Sequence, residues 1–111
     1  MNDLIQKITN AIIRQEGEAI VALNPGNLRA APWMVNPKIE HGFWVPPSRE
    51  AGVAGIAHVV ALRIARGESL AQLITAWAPP SDHNDTAAYI KNVKTWCSIA
   101  DETVPLWNLI L

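Results

Sequence analysis

The stretch Ala11–Arg29, AIIRQEGEAIVALNPGNLR, decides how this chain is read: an apolar helical pattern runs into Glu16-Gly17-Glu18, and a turn follows at Asn24-Pro25-Gly26-Asn27. A helix carries partial negative charge at its C-terminal end, so carboxylates are favoured in the first turn and cations in the last. Glu16 and Glu18 stand at the wrong end. Gly17 reads as the helix stop, because glycine takes the left-handed conformation at little cost. Glu16 follows Ile12 and Ile13 by about one turn, which puts it on or beside the apolar face rather than opposite it. A carboxyl that must act as a general acid is kept protonated by burial and unfavourable local charge, and such a place supplies both.

Working back from Glu16, the residues Leu4, Ile5, Ile8, Ile12 and Ile13 recur at three- and four-residue steps and predict an amphipathic helix over 2–16, with Asn2 or Asp3 as its cap. Working forward, residues 19–48 hold five prolines (Pro25, Pro32, Pro37, Pro46 and Pro47), which excludes a long helix there. Short extended pieces are expected around Ala30–Val35 and Ile39–Val45, with His41-Gly42 as a turn or bulge between apolar residues. Trp33, Phe43 and Trp44 fall in this excursion, either as a roof over the core or as a stacking surface for a sugar ring or partner.

Ser48 caps a helix expected over Arg49–Ala65, which Gly67 stops. Val53, Ile56, Val60 and Ile64 form its core stripe, and Ala51, Gly52, Ala54, Gly55 and Ala57 allow another helix close approach. His58 reads as an ordinary helix-surface or core-edge histidine rather than a ligand. Ser69 caps Leu70–Trp77, ended by Pro79-Pro80. A further helix starts at Asp85 or Thr86 and runs over Ala87–Ser98, with Tyr89, Ile90, Val93 and Trp96 as its stripe. Asp101 caps a last short turn, and Pro105–Leu111 is expected to cover the core as an apolar tail. The fold class is therefore mainly α: one domain over 1–111, with a proline-rich irregular or short β excursion.

Composition narrows the function. Half the residues are apolar and 17% are charged, which excludes intrinsic disorder, and a formal charge of -1 argues against a nucleic-acid binder. No apolar run is long enough for membrane insertion, and the start MNDLIQKITNAII does not read as a secretory leader. Cys97 stands alone and reads as a structural thiol. Asp82-His83-Asn84-Asp85 looks like a ligand cluster but fails the calcium-loop template, since Ala87 replaces the required glycine and Val93 the bidentate Glu. His41, His58 and His83 are too scattered for zinc. No metal or cofactor is called for.

Read together, Glu16-Gly17, Asn24-Pro25-Gly26-Asn27-Leu28-Arg29, the glycine-containing helix at Ala51–Ala57, Trp77-Ala78-Pro79-Pro80, Asn84-Asp85-Thr86 and Tyr89-Ile90-x-x-Val93 form an ordered set. In this order they resemble a family of small phage and prophage proteins with a lysozyme-like fold, described as virion structural or peptidoglycan-degrading proteins, and more distantly the soluble lytic transglycosylases. The resemblance spans nearly the whole chain. It implies a catalytic Glu at the end of the first long helix, which is Glu16, and a polar turn at Asn24, Asn27 and Arg29 that binds substrate or orients the acid. It also implies Tyr89 beside the acid, and His83 and Asn84 lining the groove. The partner implied is the glycan strand of peptidoglycan, cleaved in lytic transglycosylase or muramidase fashion, with other phage or secretion-system proteins as carriers to the cell wall. The same resemblance leaves open a non-catalytic virion structural or interaction module. The chain departs from the transglycosylases in its short Glu16–Asn24 spacing, in Gly17 where they carry serine, and in lacking their Gly-Leu-Met-Gln motif.

Overall fold

The computed structural model describes residues 2–110, with the side chain of Asn2 left out; Leu111, the last residue of the expected tail, lies outside. Four α-helices and one small hairpin make a mainly helical fold: α1 (Asn2–Glu16), β1 (Ile39–Glu40), β2 (Phe43–Trp44), α2 (Arg49–Ala65), α3 (Leu70–Trp77) and α4 (Thr86–Trp96). Two short 3-10 turns, Pro80–Asp82 and Leu106–Leu109, complete it. Helix α1 packs against both α2 and α4, and α3 against α4.

The apolar periodicity of α1 explains its place. Ile8 and Ile12 are fully buried, and Leu4, Ile5 and Ile13 flank them against the same core. Burying one such isoleucine stabilises the fold by roughly 1.5–3 kcal/mol, so this one stripe decides which way Glu16 faces. Opposite it stand Ile56, Val60 and Ile64 of α2, Leu70, Leu73 and Ile74 of α3, and Tyr89 and Val93 of α4. Val53, expected in the α2 stripe, is instead half-exposed, on a trough between α1 and α2.

Helix ends follow the local chemistry. Gly17 adopts φ 68° and its N–H reaches the Ile13 carbonyl, closing α1. The Ser48 hydroxyl accepts from the Ala51 N–H, Ser69 and Gln72 cap α3 reciprocally, and Asp85 accepts from the Ala88 N–H to begin α4. Helix α4 ends at Trp96, two residues before the expected Ser98, with Cys97 as its C-cap. Cys97 is buried, and burial pushes its thiol up from the ordinary range, which fits a structural group.

Three expectations need correction. No strand forms at Ala30–Val35: Pro32 cannot donate to a ladder, the Met34 N–H turns back to the Ala31 carbonyl, and Asn36 takes φ 45°. The hairpin at Ile39–Trp44 does form, with Ile39 opposite Trp44 and a His41-Gly42 turn in which both residues have positive φ. Second, the small residues of α2 are divided: Ala54 and Ala57 lie on the trough towards α1, whereas Gly52 and Gly55 receive backbone and loop side chains rather than a helix. A Cβ at Gly52 would collide with the Leu23 carbonyl, and one at Gly55 would crowd Trp44, Leu28 and Trp33. Third, the tail covers the core with Leu106, whereas Trp107 and Leu109 remain exposed.

Candidate functional site

The turn after α1 is built around two asparagines with different duties. Asn24 is fully buried. Its amide nitrogen donates to the carbonyls of Leu28 (2.8 Å) and Trp44 (2.9 Å), and its amide oxygen accepts from the Leu28 N–H (2.9 Å). This ties the turn to the hairpin. Expected to bind substrate or orient the acid, Asn24 instead has its side-chain groups committed to backbone inside the protein, supplying partners to the Trp44 carbonyl and the Leu28 N–H and a second donor to the Leu28 carbonyl, which also accepts from the Trp44 N–H.

Asn27 holds the acid. Its amide nitrogen donates to Glu16 Oε1 at 2.9 Å, while its amide oxygen accepts from the Ile20 N–H at 3.2 Å. The left-handed backbone at Asn27, φ 51°, is a conformation asparagine tolerates better than most residues, and it sends the amide back towards the end of α1. Glu16 itself is half-buried.

Tyr89, one turn into α4, is 4% exposed, and its hydroxyl has no hydrogen-bond partner of regular geometry. Burial, and then the neighbouring Glu16 charge, push this hydroxyl well above the ordinary tyrosine range. It therefore stays protonated, a donor facing a carboxylate.

These groups open on a cleft of about 250 Å3 lined by Glu16, Asn27, Arg29, Phe43, Trp77 and Asp82, with Asn84 on its rim. The amide nitrogen of Asn84 donates to the Pro79 carbonyl at 3.2 Å. A second cavity of about 240 Å3 continues it over Trp77 towards Arg63 and Leu73, sharing Asn27, Arg29, Trp77 and Asp82. The Arg29 guanidinium lies over the Phe43 ring, 4.8 Å from its centroid.

Of the residues expected in the site, Glu16, Asn27, Arg29 and Asn84 line one cleft, and Tyr89 stands behind Glu16. His83 does not join them. It is exposed, caps the Pro80–Asp82 turn in a left-handed conformation (φ 62°), and is absent from the lining of either cavity. Asp85, an acid on the same loop, is occupied in capping α4. The excursion's aromatics divide: Trp44 is buried with Trp33 packed edge-on at 5.7 Å, whereas half-buried Phe43 lines the cleft.

Reading the sequence missed Trp77 and Gly26 as site residues. Gly26 has to lack a side chain, since a Cβ there would lie 2.6 Å from Ile56 and 3.1 Å from Trp77. Their signals were a tryptophan immediately before Ala-Pro-Pro and a glycine inside an Asn-Pro-Gly-Asn turn, both of which ordinary turn and helix-end chemistry already explains. No family model, curated protein or solved structure matches the chain.

Proposed function

We propose that the protein cleaves the glycan strands of peptidoglycan, on a fold of the lysozyme-like kind, with Glu16 as the general acid. One observation carries this reading. A half-buried carboxylate at a helix C-terminus is oriented by the Asn27 amide, backed by a protonated tyrosine hydroxyl, and opens on a cleft walled by aromatic and polar side chains.

Glu16 protonates the glycosidic oxygen between N-acetylmuramic acid and N-acetylglucosamine, and the bond to the anomeric carbon breaks. The 6-hydroxyl of the muramic residue then attacks that carbon and gives its proton to the Glu16 carboxylate, leaving a 1,6-anhydro end and a regenerated acid. Tyr89 donates to Glu16 when it is ionised, and Asn27 sets the carboxyl plane. Water takes the place of the 6-hydroxyl if a second carboxylate activates it, and Asp82 is the other acid on the cleft wall.

Mass spectrometry of fragments released from purified peptidoglycan tests this. Anhydro-muropeptides are the expected product. Asp82→Asn separates the two routes: it leaves anhydro product release within about threefold of wild type, whereas a water route through Asp82 loses roughly a hundredfold or more. Tyr89→Phe checks the support of the acid. Removing a hydroxyl that has no hydrogen bond of regular geometry to lose is expected to leave the melting temperature within a few degrees of wild type, while cleavage falls about tenfold. A parallel fall in both would assign Tyr89 to packing alone.

The second reading, a non-catalytic interaction module of a phage particle, draws on a different surface. Val35, 88% exposed, and Ile39 stand at the loop beside a groove of about 560 Å3 between residues 33–38 and Trp44–Pro47. Release of no fragments at all would favour that reading.

A further inference from the structure

The trough between the first halves of α1 and α2 has a volume of about 510 Å3 and shares no residue with the cleft that holds Glu16. Ile5 of α1 and Val53, Ala54 and Ala57 of α2 give it apolar walls, and its size falls within the roughly 300–1,000 Å3 of small-molecule sites. Val53 has the spacing of a core residue yet stays half-exposed there. Polar groups stand at two depths. Thr9 lines the trough and is 3% exposed, and among the described residues its hydroxyl has no hydrogen-bond partner. On the rim Arg49 and Glu50 are exposed, and among the described residues neither forms an ion pair.

From this arrangement we propose that the trough binds a single-chain phospholipid with a zwitterionic head, of the lysophosphatidylcholine or lysophosphatidylethanolamine kind. Its acyl chain lies along Ile5, Val53, Ala54 and Ala57 and leaves water there. The phosphate meets the Arg49 guanidinium, and the ammonium group meets the Glu50 carboxylate. A purely anionic head would face Glu50 as well as Arg49, and a cationic head Arg49 as well as Glu50, so the two neighbouring charges select a head that carries both signs. The ester and hydroxyl of the glycerol linker come between chain and head. The Thr9 hydroxyl can donate and accept, and it pairs with them. The site is independent of glycan cleavage, because its residues and those of the cleft are different sets.

NMR titration of the isotope-labelled wild-type protein tests this, with every amphiphile kept below its critical micelle concentration. Lauroyl-lysophosphatidylcholine is expected to shift the amide signals of Gln6, Asn10, Val53 and Ala54 and to leave those of Asn27 and Trp77 in the cleft unmoved. Dodecylphosphocholine keeps the head and the chain length but lacks the glycerol linker, and it is expected to bind roughly fivefold more weakly, the size of one neutral hydrogen bond. Dodecyl phosphate and dodecyltrimethylammonium are each expected to bind weaker again by roughly threefold, the size of one exposed ion pair. Thr9→Val erases the difference between the first two ligands. Ala54→Phe, at an exposed helical position, fills the trough and stops the binding of all four while the protein melts within a few degrees of wild type. Equal binding of all four ligands means that the tail alone is recognised and overturns the proposal, as do shifts confined to residues outside the trough or binding seen only above the micelle threshold. Shifts at the same four residues on raising the protein concentration without lipid assign the trough to a second copy of the chain and overturn it too. The lipid series is read on the unaltered protein, so its outcome does not depend on how well the variants fold.

Discussion

Glu16→Gln is expected to lower release of peptidoglycan fragments by about 10²–10⁴-fold, the usual contribution of a positioned acid or base, with the melting temperature within a few degrees of wild type. The substitution is well matched to the site. Glutamine keeps the length and the oxygen that accepts from Asn27 Nδ2 at 2.9 Å, so the turn that Asn27 clips to α1 stays in place. What it removes is the exchangeable proton. Fragment release at the wild-type rate from a protein that melts normally would take the acid role away from Glu16.

Asn24→Ala is expected to cause the largest loss of stability among these substitutions. Two backbone groups, the carbonyl of Trp44 and the N–H of Leu28, lose the partner that Asn24 supplies in a fully buried setting, whereas the Leu28 carbonyl keeps the Trp44 N–H. Each buried polar group left unpaired costs about 1–3 kcal/mol. A sum of about 3 kcal/mol or more lowers the melting temperature by roughly 15 °C for a domain of this size, read by circular dichroism. Activity falls too, because the turn that carries Asn27 and Arg29 is anchored to the hairpin through Asn24. A variant melting at the wild-type temperature would mean that the turn holds without this amide.

Much of the helical framework was legible in the sequence because its signals are local. The three- and four-residue spacing of Leu4, Ile5, Ile8, Ile12 and Ile13 repeats within a few turns, and Ser48, Ser69 and Asp85 accept from N–H groups three residues ahead. Glu16 at the end of α1 could be singled out for the same reason: its conflict with the helix dipole is visible from neighbours alone. The excursion was harder. Whether Ala30–Val35 becomes a strand depends on finding a partner edge, which periodicity does not report, and the proline and positive-φ turns leave it none.

The two asparagines show the limit most clearly. Asn24 and Asn27 sit three residues apart in one polar turn and are the same residue type, so composition treats them alike. One is sealed under the hairpin and the other holds the acid. The difference comes from the Trp44 carbonyl, twenty residues further along, which takes the Asn24 amide. Likewise His83 and Asp82 are neighbours, yet the left-handed backbone at His83 leaves it off the cleft wall that Asp82 joins.

By itself, then, the sequence determined the mainly helical class, nearly all the helix boundaries, the capping residues Ser48, Ser69 and Asp85 and the position of one misplaced acid, since each rests on contacts within about a turn of the chain. Tertiary structure decided which side chains share the cleft. Trp77, Phe43 and Asp82 come from separate elements, and they converge with Glu16 because α1 packs on α2 and α4, an arrangement governed by burial over the whole core and not by any local pattern.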